Sequence, residues 1–229
     1  MRIVVLTGAG ISAESGLPTF RDADGLWEGH NPMQVATPEA YAAAPGLVHR
    51  FYDERRAALG RVEPNAAHLA LARLEERLGR DLLVVTQNID DLHERAGSRH
   101  VLHMHGRLRS AWCTGCDARH AWTGPLGDRP PCPRCGRADL RPDVVWFGEV
   151  PHGMDDIEQA LWAADLFVSI GTSGLVYPAA AFVQYAAARG TATLELNLDA
   201  SLTSGAFAES RRGSASELVP AWVDELLEG

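Results

Sequence analysis

The chain has no lysine: all 21 of its basic residues are arginine. Genomic base composition accounts for that bias. Nor does any run approach the ~18 apolar residues that cross a bilayer, so no membrane span is expected. No export leader is expected, because Met1–Leu6 is too short for a signal-peptide core and no small-residue cleavage pattern follows it. Cysteine is scarce, with four in 229 residues. In a chain without export signals, paired cysteines read as metal ligands rather than disulfides, and a cytoplasmic location is expected. Positive charge is in short supply, since 21 basic residues against 30 acidic ones leave a net charge of −9. Phosphate affinity needs clustered basic residues, which excludes a generic nucleic-acid binder. There are no internal repeats and no low-complexity tails.

The chain is 46% hydrophobic and 22% charged, ordinary for a globular protein and long enough to bury a sizeable core. Residues 2–7 are a β-branched run ending in glycine, which suits a buried parallel strand. A helix is expected to start over residues 12–16, with Ser12 available as its cap. Residues 22–37, rich in Asp, Gly, His, Asn and Pro, read as an irregular loop. Helices are expected at Pro38–Ala44, Gly46–Leu59, Asn65–Leu78, Asp155–Ala164, Tyr177–Arg189 and Ser214–Leu227. Strands are expected at Leu82–Thr86, His100–His105, Val144–Phe147, Leu166–Ile170 and Thr193–Asn197. Strands alternating with helices predict an α/β fold, a Rossmann-like parallel sheet with helices on both faces. Residues 107–142 break that pattern. They hold every cysteine, a cluster of prolines and few aliphatic residues, and read as an inserted module that needs metal to fold.

Four constellations carry chemistry. Gly8-Ala9-Gly10-Ile11-Ser12-Ala13 joins a strand to a helix, where glycines let the backbone approach a pyrophosphate. The acidic residue that a dehydrogenase places about 20 residues later at a strand end is missing, so an ordinary dehydrogenase fits poorly. Cys113-x-x-Cys116 and Cys132-x-x-Cys135, separated by 15 residues, match a tetrahedral Cys₄ zinc site. Four thiolates leave no open position, so the zinc is structural. Thr86-Gln87-Asn88-Ile89-Asp90, Gly171-Thr172-Ser173 and Asn197-Leu198-Asp199 each follow a predicted strand, at the sheet edge where α/β proteins bind ligands. Finally, His103 and His105 stand just before the cysteine module. Each is an inert strand residue, a metal ligand or a catalytic base, and the residues alone leave these three roles open.

Taken together, these segments resemble the sirtuin family. The resemblance rests on Gly8 to Arg21, Thr86 to Asp90, His105-Gly106, the paired CxxC, Phe147-Gly148-Glu149, Gly171 to Ser173 and Asn197 to Asp199, in family order over nearly the whole chain. It implies an NAD-dependent protein-lysine deacylase that yields nicotinamide, free lysine and O-acyl-ADP-ribose. In that chemistry the acyl oxygen attacks the nicotinamide ribose to give an alkylimidate. A histidine then deprotonates a ribose hydroxyl, which closes onto the intermediate. By position the base is His105, with Asn88 and Asp90 holding the ribose and the nicotinamide amide. Gly8, Ala9, Gly10, Ser12, Ala13, Glu14, Phe20 and Arg21 would address NAD from the first loop. Gln87, Ile89, Gly171, Thr172, Ser173, Asn197, Leu198, Asp199 and Ala215 would line the rest of it. The acyl-peptide would add as a strand between Val145, Phe147, Gly148 and Glu149 on one side and Gly174, Leu175 and Val176 on the other.

The resemblance further implies one catalytic domain over residues 1–229. Its Rossmann-like core would span about 1–24, 64–106 and 143–229, and its small domain 25–63 (helical) and 107–142 (zinc). Tyr52 and Arg55, at i and i+3 on a predicted helix, share one face. They resemble the Tyr-x-x-Arg pair of the sirtuins that remove succinyl and malonyl groups, and a phenol with a guanidinium suits a carboxylate. Partners are then acylated-lysine proteins or peptides, taken as substrates by a chain expected to be monomeric, with no specific nucleic acid and no membrane. The rival readings are a mono-ADP-ribosyltransferase on the same fold and a non-catalytic zinc-ribbon interaction protein.

Overall fold

The computed structural model describes residues 1–19, 27 and 29–228. Among these residues there are nine strands: β1 (Ile3–Thr7), β2 (Leu82–Thr86), β3 (Val101–His103), β4 (Gly106–Cys113), β5 (Arg119–Ala121), β6 (Leu140–Val144), β7 (Leu166–Ile170), β8 (Ala192–Asn197) and β9 (Glu209–Arg212). The α-helices are α1 (Gly10–Ala13), α2 (Pro32–Val35), α3 (Pro38–Ala43), α4 (Pro45–Leu59), α5 (Ala66–Leu78), α6 (Leu92–Ala96), α7 (Met154–Ala163), α8 (Phe182–Ala188) and α9 (Ala215–Glu228).

Six strands form one sheet in the order β3-β2-β1-β7-β8-β9, and every pair in it is parallel. Every residue of β1 is buried, as expected of a strand covered on both faces. Ile3 and Val5 on one face pack with Leu71, Leu74 and Trp222 from α5 and α9. Val4 and Leu6 on the other meet Ile157, Leu161 and Phe182 from α7 and α8. The sequence therefore builds the expected Rossmann-like sandwich. The chain winds outward from β1 to β3, then crosses back to β7, so the direction reverses between β1 and β7. Ligands bind at such a switch point in open α/β sheets.

The second sheet is antiparallel, in the order β5-β4-β6, and carries the cysteines. It shares a core with the helical segment, where Val48, Phe51, Tyr52 and Leu59 of α4 pack on Leu108, Val144 and Trp146. Several local expectations need correction here. The strand expected over Val144–Phe147 lies at Leu140–Val144 and pairs with β4 rather than joining the main sheet. β4, β5 and β9 are strands that the sequence pattern does not announce. Within the segment read as irregular loop, residues 32–35 form a helical turn capped by Asn31. Residues 22–26 and 28 lie outside the described residues. The helix expected from Tyr177 begins only at Phe182, after a 3₁₀ turn. Ser12 is not a cap, because it lies inside α1 and its hydroxyl turns to Asp90.

The loops after β1 and β7 touch backbone to backbone. Gly8 N–H donates to Ile170 O (3.0 Å) and Gly10 N–H to Gly171 O (2.9 Å). A Cβ at Gly10 would stand 2.6 Å from Gly171 Cα, and one at Gly8 would stand 2.7 Å from Gly171 O. Gly171 itself has φ +62, and a Cβ there would collide with the backbone nitrogen of Ile11. Gly171→Ala should therefore destabilise the fold by roughly 2 kcal/mol or more, from combined steric and left-handed-backbone strain. Calorimetry should show Tm lowered by several degrees; an unchanged Tm would mean the two loops can separate freely.

Candidate active site

A cleft of about 1390 Å³ opens over the carboxyl ends of the main strands. That exceeds the ~300–1,000 Å³ of ordinary small-molecule pockets. Gly8, Ala9, Gly10, Ser12, Ala13 and Glu14 line it from the loop after β1, and Gln87, Asn88, Ile89 and Asp90 from the loop after β2. Gly171, Thr172 and Ser173 reach it after β7, and Asn197, Leu198 and Asp199 after β8, with Ala215 at the start of α9. His105, Tyr52, Arg55, Val145, Phe147, Gly148, Glu149, Leu175 and Val176 complete the expected set on its walls. Gly174 does not line the cleft. It borders a small neighbouring cavity and packs against Thr203. Phe20 and Arg21 lie outside the described residues.

The floor is a polar cluster centred on Ser12. Its hydroxyl donates to Asp90 Oδ2 (3.0 Å) and accepts from Asn88 Nδ2 (3.1 Å). The same amide nitrogen donates to Gly8 O (3.1 Å), tying the loop after β2 to the glycine loop. Asp90 also accepts the backbone N–H of Leu92 (3.1 Å). Burial raises its pKa, and the hydrogen bonds from Leu92 and Ser12 oppose that rise. Behind the cluster, His68 Nε2 lies 3.5 Å from Ser12 Oγ. Desolvation takes the His68 pKa down to about 4, so at neutral pH it is an uncharged support. Nothing in the local sequence around His68 announces this contact, because it depends on how α5 docks on the sheet.

The two histidines before the zinc module part company. His103 is buried in β3, with Nδ1 3.1 Å from Asn88 O and Nε2 2.8 Å from Glu94 Oε1. Both ring nitrogens are engaged, which makes it a strand residue. His105 lines the cleft, and its Nδ1 lies 3.1 Å from Gln87 O. A carbonyl only accepts, so Nδ1 carries the proton and Nε2 keeps its lone pair. Burial lowers the His105 pKa, which keeps the ring in its basic form at neutral pH.

On the opposite wall, Tyr52 and Arg55 share a face of α4 and both are buried. Arg55 Nη1 donates to Phe51 O (2.7 Å), and the guanidinium lies 3.2 Å above the Phe51 ring and 5.1 Å from Trp27. Trp146, which no local pattern singles out, donates its indole N–H to the Tyr52 hydroxyl at 3.0 Å. Glu149 accepts the Trp146 backbone N–H (2.8 Å) and forms a bidentate pair with Arg141 (2.7 and 3.0 Å).

The four cysteine sulfurs lie within 4.8 Å of one another. The separations are 3.7 Å for Cys113–Cys135 and 3.8 Å for Cys116–Cys132. Tetrahedral zinc with Zn–S bonds near 2.3 Å requires S···S distances of about 3.8 Å, so the cluster fits the metal. Each CxxC forms the same knuckle, with Cys113 O accepting from Asp117 N and Cys132 O from Gly136 N, both at 2.8 Å. Zinc there supplies folding energy to the small sheet and no reacting group. Metal analysis should find one zinc per chain, and a strong chelator should abolish cooperative melting of the β4–β6 sheet. Unchanged melting after full metal removal would disprove this.

The Sir2 family model matches residues 8–178. The chain belongs to the Sir2 family. An NAD-dependent protein deacylase of Caulobacter vibrioides is 56% identical over 231 residues, covering 99% of this chain and 97% of the relative. One from Salmonella typhimurium is 55% identical over 231 residues, covering 100% and 85%. Among solved structures, a Sir2 homologue in complex with NAD superposes with a TM-score of 0.90 at 41% identity, covering 99% of this chain and 90% of that one. A Sir2 protein bound to deacetylated p53 peptide and 3′-O-acetyl ADP-ribose gives 0.86 at 30% identity, covering 98% and 93%. The Sir2 fold thus accounts for the cleft, the Cys₄ module and the sheet together.

Proposed function

We propose that this Sir2-family chain is an NAD-dependent protein-lysine deacylase that removes acetyl groups and, through Tyr52 and Arg55, acidic acyl groups such as succinyl and malonyl. The observation that carries the reading is His105: a neutral imidazole with a fixed tautomer on the wall of a cleft whose floor is the Ser12–Asn88–Asp90 cluster. NAD supplies the ribose carbon that takes the acyl oxygen as nicotinamide leaves. His105 Nε2 accepts the proton of a ribose hydroxyl. Asn88 and Asp90 orient the ribose and the nicotinamide amide, and Ser12 fixes both side chains. The glycine loop and the loops after β7 and β8 receive the phosphates and adenosine. The relatives are bacterial, and no described helix is long and apolar enough to cross a membrane. Both facts support a cytoplasmic enzyme.

The peptide would lie between the segments 145–149 and 174–176. In the first of these, Val145 N–H already donates to His105 O, Phe147 N–H to Ala36 O and Glu149 N–H to Trp146 O. Trp146 N–H is taken by Glu149. Pairing with a substrate strand there runs mainly through carbonyl oxygens, which accept the peptide's N–H groups. At the far end of the acyl channel, the Arg55 guanidinium is locked against Phe51 and stands beside the Tyr52 phenol. Desolvated, pre-positioned donors of this kind favour a carboxylate over a methyl group.

His105→Ala should cut deacylation by at least ~1,000-fold while leaving Tm within a few degrees, as expected for loss of a general base. Because burial lowers the His105 pKa below 6.5, the acid limb of kcat/KM should fall below pH 6.5. Retained activity in His105→Ala, or an acid limb above pH 7, would remove His105 from this role. Combining Tyr52→Phe with Arg55→Met should lower the desuccinylation-to-deacetylation ratio of kcat/KM by about 100-fold, the loss of two hydrogen bonds to a charged group. Equal losses on both peptides would refute carboxylate recognition. Nicotinamide release without any acylated peptide would favour ADP-ribosyl transfer instead.

A further inference from the structure

The Tyr52 side chain is completely buried, yet its hydroxyl is only half satisfied. The indole Nε1–H of Trp146 is a donor with no acceptor capacity, so at 3.0 Å the Tyr52 oxygen must be the acceptor. That leaves the hydroxyl proton to be given elsewhere. Among the described residues no protein group accepts it. Buried donors are rarely left without a partner, and one that lines a binding cleft points to a ligand acceptor.

The indole is not free to swing away. Trp146 is 2% exposed, the Arg141 guanidinium lies 3.3 Å over its ring, and Arg141 is held by the bidentate pair with Glu149. Glu149 in turn accepts the Trp146 backbone N–H. Tyr41 packs on the same ring with centroids 5.2 Å apart. Arg141, Glu149 and Tyr41 thus fix one N–H on one oxygen. The Arg55 guanidinium, which shares this face of α4, also only donates.

From this geometry, and resting on the deacylase reading above, we infer that Trp146 is a specificity-determining residue. Its indole N–H holds the Tyr52 hydroxyl as a pure donor, so the site takes acyl groups that end in a carboxylate and rejects the isosteric amide. A carboxylate offers only acceptors to the two donors. A terminal amide must turn its NH₂ toward one of them, where nothing can accept it. Without the indole N–H, the hydroxyl can rotate and accept from the amide.

The test compares kcat/KM for a succinyl-lysine peptide, its terminal-amide isostere and an acetyl-lysine peptide. The enzymes are the parent protein, Trp146→Phe, a protein with Trp146 replaced by benzothienylalanine, and Tyr52→Phe. Benzothienylalanine keeps the shape of the indole without its N–H, so it separates the hydrogen bond from packing. The parent should prefer succinyl to its amide. Both Trp146 replacements should narrow that preference by about fivefold, the worth of one oriented hydrogen bond. In the Tyr52→Phe background, replacing Trp146 should not change the preference further. If Tyr52→Phe narrows the preference and the Trp146 replacements do not, the inference is overturned while the deacylase reading stands. If Tyr52→Phe leaves the preference unchanged as well, carboxylate recognition by this wall fails and the inference falls with it. If none of the three peptides is deacylated, the deacylase reading itself fails.

Discussion

Three glycines set the geometry on which the rest of this molecule depends. The loops that leave β1 and β7 meet with no side chain between them, and hydrogen bonds from Gly8 and Gly10 close the contact. The carboxyl ends of two neighbouring strands are thereby drawn together at the point where the sheet reverses direction. Ser12, two residues after Gly10, is placed under the loop after β2, where its hydroxyl gathers Asn88 and Asp90. The polar floor of the cleft is thus a consequence of a backbone contact. The usual account of a glycine-rich loop stresses access for a phosphate, but here close approach between two crossovers is an equal requirement.

Much of this architecture was legible in the sequence, for identifiable reasons. The unbroken apolar run Ile3–Thr7 and the helices from Pro38 to Leu78 have clear boundary residues, and they appear where expected. The cysteine spacing was enough to specify the Cys₄ cluster, because the two knuckles are local structures. The small sheet was harder. Leu140–Val144 contains Pro142 and two charged residues, and all five positions are buried. Arg141 and Asp143 are tolerated there because each finds a partner outside the strand, Glu149 for one and Arg119 for the other. Such pairing is invisible to a pattern that treats charge as exposure. The bonds of His68 to Ser12 and of Trp146 to Tyr52 span 56 and 94 residues, so no local reading could supply them.

The absence of lysine acquires a structural meaning. Arg55, Arg56 and Arg141 are all buried, and two of them lie flat on aromatic rings at 3.2 and 3.3 Å. A planar, weakly hydrated guanidinium can stack in this way and still direct its edge donors; an ammonium cannot. Whatever biased the composition, the small module now uses that chemistry, and Arg→Lys exchanges at these sites would not be conservative.

β4 begins at Gly106, beside His105, and ends at Cys113; β6 begins next to the second knuckle and runs into Val145. Both strands therefore run between the cysteine module and the cleft wall, where Val145 N–H donates to His105 O. Zinc at the knuckles would act on these strands as a tuning peg acts on a string, setting register at a distance from the cleft. Its supply would then govern how much of the protein is folded rather than how fast each folded molecule works. Scarcity would silence a fraction of the population outright and leave the remainder at full rate.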